Sequence, residues 1–315
     1  FSSDKNDLDQ IQISTHPDIL AAHIHNQELD GISVAEFLAC GSVSHPFTFF
    51  QDISATNPGT CLTLDYRNRK ITETSYFSLE GDTGGNFKEL KEELSSVLLE
   101  SIRRRTHSHY GKTGVLLSGG GDSRPIVVNS VTPPWAFTSF SRENRELDIT
   151  KEVTSRLGVP HELIQRTQSS NRIGLVESPY YTSGMSTGGG GTLMDLLRSD
   201  AIMQMDNILS GDYADWLFKD IAFNTTPITI FGKKLPLNKF ANFSYHFYGG
   251  SVPIPALQNA IANRRQLLFP SSVRQQSNEL QFRRIVPLSN EYTSSTRLFL
   301  QRTLPWDSYL IDNDV

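Results

Sequence analysis

The chain has 315 residues, 37% hydrophobic and 20% charged, with a net charge of −5. That is an ordinary globular profile, long enough for one large domain plus a small appendage and for a full core. The mild acidity speaks against a nucleic-acid backbone as partner, and without a run of about 18 apolar residues no membrane span is expected.

In chain order, residues 18–26 and 33–40 carry short helical patterns, the second opened by Ser33 with Glu36 three residues on, the spacing of a capping box. Cys40 and Cys61 stand at neither disulfide-framework nor metal-site spacing. They are expected as buried thiols in a reducing, cytoplasmic setting, and the first residues lack a signal-peptide core. Residues 60–64 and 70–77, joined by a polar turn at 66–69, read as a hairpin. Gly81-Asp82-Thr83-Gly84-Gly85 then reads as a linker, giving an approach segment over 1–80 and the main domain over 81–315. Residues 86–109 form the strongest helical pattern. Phe87, Leu90, Leu94, Val97, Leu98 and Ile102 fall on one apolar stripe, and Arg103, Arg104 and Arg105 make a solvated, dipole-favoured C-terminal end.

Residues 114–128 read as a buried strand, a tight turn and a helix. The turn is Ser118-Gly119-Gly120-Gly121-Asp122-Ser123. Contiguous glycines allow left-handed angles and the close approach of an anion to main-chain N–H groups. Asp122 and Ser123 are good N-cap types, and Pro125 suits a first helical turn. A helix start carrying such a loop is a phosphate site. The stretch lacks the lysine of a GxxxxGK[ST] P-loop and the spacing of a GxGxxG dinucleotide loop. Residues 135–140 then read as a second strand, 146–157 as an amphipathic helix stopped by Gly158, and 162–164 as a third strand. This alternation predicts an α/β fold with a parallel sheet and right-handed crossovers, its ligand site beyond the strand C-termini over 118–123.

Residues 182–192, rich in Gly, Ser and Thr, read as a mobile surface loop. Residues 206–218 repeat the earlier logic of strand, Ser-Gly turn and helix. Asp212 and Asp215, three apart, would share a helical face and are candidates for magnesium and substrate contact. Residues 255–268 look helical, and Arg283, Arg284 and Arg297 read as surface arginines.

The loop 118–123 resembles the SGGxDS pyrophosphate loop of ATP pyrophosphatases. Taken with Phe137-Thr138-Ser139-Phe140, Glu146, Leu157-Gly158, His161 and the run Leu209-Ser210-Gly211-Asp212-Tyr213-Ala214-Asp215, it resembles the synthetase domain of the asparagine synthetase superfamily, which includes β-lactam synthetases and lasso-peptide cyclases. Residues 47–53 and 57–59 resemble the family's junction with its glutaminase half, and coverage runs from about residue 16 to 220. The resemblance implies an adenine nucleotide α-hydrolase-like (PP-loop) domain with a helical C-terminal part and a small N-terminal hairpin segment. It implies ATP and Mg²⁺ as cofactors. Ser118, Gly119, Gly120 and Ser123 would hold pyrophosphate, Asp122 and Asp215 the metal, and main-chain groups near Leu116, Leu117, Phe140 and Gly211 the adenosine. Asp212 would face the activated carboxylate or the incoming amine.

The implied activity is an AMP-forming, ATP-dependent amide ligase acting on a small-molecule or peptide carboxylate. A glutaminase domain or subunit would be the ammonia source; the alternatives are an intramolecular lactam-forming or macrolactam-forming cyclase and a catalytically silent nucleotide-binding scaffold. The chain departs from the family in three ways. Asp212 stands where the family has Glu, and Trp216 stands where it has an acid, which points to a different acceptor pocket. The family places its catalytic lysine past the point where this sequence stops, and Lys219, Lys233, Lys234 and Lys239 lie in other contexts, so either that part lies outside this sequence or the activity is altered. Leu304-Pro305-Trp306-Asp307 resembles the family's proline-aromatic-acid segment only loosely.

Overall fold

The computed structural model describes residues 2–3, 9, 11–24, 28–40, 43–57, 59–77, 85–185, 189–218, 225–238, 255–268 and 294–312. The chain forms two compact units, Phe1–Asp82 with Lys219–Ser294 and Thr83–Phe218 with Ser295–Val315.

The second unit is an α/β layer structure. Its elements are α1 (Phe87–Arg105), β1 (Thr113–Leu116), α2 (Arg124–Asn129), β2 (Trp135–Phe140), α3 (Arg145–Leu157), β3 (His161–Gln165), α4 (Gln168–Tyr181), β4 (Asn207–Ser210), α5 (Ala214–Phe218), α6 (Ser294–Thr303) and β5 (Trp306–Ser308). The five strands form one sheet in the order β5-β4-β1-β2-β3, and every neighbouring pair is parallel. Both faces are covered, as parallel sheets require. Val115, Leu117, Ala136 and Leu209 bury one face with Ile102, Ile126, Tyr309 and Leu310. Phe137, Ile164 and Ile208 bury the other with Leu196, Ile202, Phe299, Leu300 and Trp306. The alternation of Ile208 and Leu209 between the two clusters is the period-two geometry of a strand.

The expected stop at Gly158 holds, and two side-chain caps not named in the sequence reading accompany it. Asn86 caps α1 by accepting from Lys88 N–H at 3.0 Å. Asn144 caps α3 through Leu147 N–H at 3.0 Å, and Gly158 ends α3 in the left-handed region at φ 64°. Other expectations are corrected. The apolar stripe of α1 is not buried along its length: Phe87 is 81% exposed, Leu90 43%, and Ile102 only 1%. The last turns alone pack on the sheet layer, within a core cluster that reaches Tyr309 and Leu310. Of the expected solvated end, Arg103 and Arg104 are exposed, but Arg105 is half-buried and paired. Arg105 bonds Asp307 at 2.8 Å and Asp312 at 2.5 Å, and Arg104 bonds Asp312 at 2.9 Å. Of the Gly-rich stretch expected as a mobile loop, residues 186–188 lie outside the described residues, and Gly189–Arg198 forms a 3₁₀ segment that buries Leu196.

In the first unit, Thr60–Asp65 and Lys70–Ser75 pair antiparallel in the expected hairpin, and Thr225–Ile230 pairs antiparallel with Lys233–Asn238. Cys61 is exposed rather than buried, because the two-stranded hairpin has solvent on its outer side. The helix Gly31–Cys40 starts two residues before the expected cap. Asp30 takes that role, accepting from Ile32 N–H at 3.1 Å and from the Ser33 hydroxyl at 2.6 Å, while Glu36 accepts from Ser44 Oγ. Arg264, from the expected helix near 255–268, closes this corner. It donates to Asp30 at 2.6 Å and Ser33 at 2.9 Å, and its guanidinium lies 3.8 Å from the Phe47 ring centre. Burial raises the Asp30 carboxyl, but the Ser33 and Arg264 bonds outweigh it and hold the group below its ordinary value. The linker at 81–84, Arg283, Arg284, Lys219 and Lys239 lie outside the described residues.

Ile208 is fully buried between β1 and β5. Ile208→Ala is expected to cost roughly 2–5 kcal/mol in urea denaturation, the range for an unrelaxed core cavity; a cost near zero would place this strand outside the core.

Candidate functional site

Reading the sheet as β3-β2-β1-β4-β5, the chain leaves β1 to one side for β2 and β3 and to the other for β4 and β5. The C-terminal ends of β1 and β4 therefore flank the switch point at which open parallel sheets bind ligands. The loop 118–123 leaves β1 there, and the turn 211–213 leaves β4 there.

The first loop is braced from within. Ser123 Oγ accepts from the Ser118 N–H at 2.9 Å and lies 3.1 Å from Ser118 Oγ. Ser118 Oγ accepts from the Gly120 N–H at 3.3 Å, and Arg124 Nε donates to the Gly120 carbonyl at 2.9 Å. Ser123 occupies the N-cap position of α2 without capping it, because its hydroxyl is turned back to Ser118. None of Gly119, Gly120 and Gly121 has positive φ, so left-handed freedom is not what the glycines supply. A Cβ on Gly119 would lie 2.5 Å from the Glu146 Cα at the start of α3, whereas one on Gly121 would meet nothing within 4 Å. Gly119 is there for close packing, and Gly121 faces open space. Among the described residues, the N–H groups of Gly119 and Gly121 have no hydrogen-bond partner.

The second loop touches the first. A Cβ on Gly211 would lie 2.7 Å from the Asp122 carbonyl carbon and 2.8 Å from its oxygen. Tyr213 takes φ 81°, a strained value for a residue with a side chain, and α5 starts only at Ala214. Asp212 therefore sits in the turn, not on a helical face shared with Asp215. Its carboxylate accepts from Ser210 Oγ at 2.8 Å. The side chains of Asp215 and Trp216 lie outside the described residues.

A cavity of 390 Å³ opens beside the first loop, beyond the ends of β1 and β2. Leu116, Phe137, Phe140, Leu193 and Leu196 give it apolar walls. Leu117, Ser118, Gly119, Ser139 and Arg166 also line it. Thus Leu116, Leu117, Ser118, Gly119 and Phe140 share one cavity, Gly120 and Ser123 belong to the braced loop at its edge, and Asp122 and Gly211 abut at the switch point. Asp212 follows directly. Sequence reasoning missed Arg166 and Ser139, although Arg166 directly follows β3 on the ligand side of the sheet. Their Nε and Oγ atoms are buried without a partner, and a guanidinium has donors only, so Arg166 suits an acceptor-bearing ligand.

Beneath the cavity, Thr138 Oγ1 donates to the Leu117 carbonyl at 2.9 Å. It lies 2.8 Å from His161 Nε2, whose Nδ1 is 3.0 Å from Thr154 Oγ1. Burial first, then the nearby Lys151 charge, lowers the His161 pKa below 6.5. The folded state therefore binds fewer protons than the unfolded state as pH falls through 6.5, and stability must drop there.

No protein-family model and no curated protein matches the chain at a significant level.

Urea denaturation at pH 7.5 and pH 5.5 is expected to show lower stability at the acid end, with the difference shrinking in His161→Gln; an equal difference in both proteins would assign the pH effect elsewhere. Gly211→Ala drives a methyl into the Asp122 carbonyl and is expected to cost about 1–3 kcal/mol, with faster amide exchange over 118–123. Unchanged exchange would show that the two loops do not bear on each other.

Proposed function

We propose that the chain is an ATP-dependent, AMP-forming amide ligase of the asparagine synthetase superfamily type, with a PP-loop α/β domain. One observation carries the reading: the serine-braced glycine loop after β1 and the Gly211-Asp212 turn after β4 abut at the switch point of a parallel sheet. The donor set fits a nucleotide. The loop offers N–H groups without internal partners, the neighbouring cavity is walled by leucines and phenylalanines, and Asp122 supplies hard oxygen atoms of the kind Mg²⁺ prefers.

In this reading Ser118, Gly119, Gly120 and Ser123 hold the pyrophosphate portion, and Asp122, with Asp215, holds Mg²⁺. Leu116, Leu117, Phe140 and Gly211 bound the adenosine, and Asp212 faces the reacting carboxylate or amine. Bound ATP would supply the adenylyl group that activates a carboxylate. The chain's own contribution is to hold the loop donors and carboxylates in place before the substrate arrives, which is electrostatic and positional catalysis. Tyr309 lies beside Asp122, and burial, reinforced by the Asp122 charge, pushes its phenol up to about 12. It stays a proton-bearing donor at any working pH and takes no part as a base.

The test is product analysis over a panel of carboxylates, with and without glutamine or ammonia. Substrate-dependent release of AMP and pyrophosphate, abolished in Asp122→Asn, is expected; ADP and phosphate would overturn the reading. Arg166→Met is expected to weaken ATP binding about tenfold, the effect of losing a hydrogen bond from a charged donor, as read by titration calorimetry. Unchanged affinity would remove Arg166 from the site.

A further inference from the structure

The segment 304–311 has no sequence signature strong enough to give it a role, yet it reaches both loops of the site. As β5 it runs parallel to β4, with Trp306, Asp307 and Ser308 opposite Ile208, Leu209 and Ser210. Three successive side-chain bonds then leave it toward the switch point. Trp306 Nε1 donates to Ser210 Oγ at 2.9 Å. That hydroxyl is the one that donates to the Asp212 carboxylate at 2.8 Å. Ser308 Oγ donates to the Asp212 carbonyl at 3.0 Å, and the Tyr309 hydroxyl donates to the Asp122 carbonyl at 3.0 Å. All three donor residues are buried, at 7%, 0% and 4% exposure.

The far side of the segment is fixed to α1. Ser101 Oγ donates to the Tyr309 carbonyl at 2.6 Å, and Arg105 bonds both Asp307 and Asp312. A strand end tied down on one side and bonded to two loops on the other sets the spacing between those loops.

We propose that Trp306 and Tyr309 are positioning residues for the nucleotide site. Trp306 orients the Asp212 carboxylate through Ser210, and Tyr309 holds the Asp122 main chain, and with it the first loop, in a fixed position against the second loop. The proposal rests on the nucleotide reading for its ligand, but its geometry does not depend on it. Deleting the Tyr309 hydroxyl leaves the Asp122 carbonyl without that donor while the ring still fills its core position. The part of the site that suffers is the metal-holding part, not the adenosine cavity beyond β1 and β2.

The experiment compares wild type with Tyr309→Phe for AMP binding without Mg²⁺, for ATP binding with and without Mg²⁺, and for amide hydrogen exchange over 118–123. The expected result is unchanged AMP affinity, a Mg²⁺-dependent gain in ATP affinity reduced about tenfold, and faster exchange in the loop. Equal losses for AMP and ATP would make Tyr309 a general structural residue and overturn the proposal, as would an unchanged Mg²⁺ gain. Trp306→Phe, which releases Ser210, is expected to quicken exchange over 210–213 instead; exchange unchanged in both variants also overturns it. If wild type binds neither nucleotide, the nucleotide reading falls and the exchange rates alone decide the positioning claim.

Discussion

The structure of the site depends on one close approach: Gly211 lies against the main chain of Asp122 with no space for a methyl group between them. The two residues belong to loops almost ninety positions apart in the chain, and parallel pairing of β1 with β4 brings those loops side by side. Strand order then decides what lies next to what. Because β2 and β3 fill one side of β1 and β4 and β5 the other, the C-terminal ends of β1 and β4 mark the switch point of the sheet. The contact thus converts a topological feature into a chemical one, placing two carboxyl-bearing turns side by side.

How much of this the sequence discloses follows from the range of the interactions involved. The strand-loop-helix at 114–128 and the stop at Gly158 are local events, settled by residues within four positions of one another, and they are legible; the caps at Asn86 and Asn144 are equally local but were not read. The glycine run was legible as a loop but not in its cause. Gly119 answers to Glu146 across the fold rather than to its own φ. Asp212 and Asp215 read as a helical pair because their spacing is helical, yet the left-handed Tyr213 between them keeps Asp212 out of α5. Trp306, Ser308, Tyr309 and Arg166 were not legible as site residues, since their partners are set by sheet order alone. Arg103 to Arg105 show the same limit. A basic helix end is favoured by the dipole in any case, and only Asp307 and Asp312, about 200 positions away, turn two of the arginines into anchors.

The internal bracing of the 118–123 loop bears on how it would hold an anion. A helix of six residues offers only a small macrodipole, so the dipole argument that applies to long helices carries little weight for α2. What remains is the arrangement of N–H groups. Ser123 gives up capping α2 in order to bond Ser118, and this rigidifies the rim while leaving the Gly119 and Gly121 donors without internal partners. Spending one helix cap, about 1 kcal/mol, on loop shape makes sense where the loop must be organised before its ligand arrives.

That same loop carries Asp122, and the neighbouring turn carries Asp212. A phosphate entering between two carboxylates meets repulsion, which at about 4 Å separation amounts to several kcal/mol per pair at an effective dielectric of 20. Main-chain N–H groups alone offset little of that. In the proposed reading a divalent cation held by Asp122 with Asp215 would reverse the sign of the Asp122 interaction, so that acid would make nucleotide binding conditional on metal. This also explains why the placement of the two turns is so constrained. Attraction through that cation would require the Asp122 oxygens to lie close to it, and a second turn free to drift would leave the repulsion intact while losing the position of Asp212 toward the substrate. Glycine at 211, the hydroxyl of Ser210 and the donors from 306–309 all narrow that drift, which gives one electrostatic reason for three otherwise unrelated features of the fold.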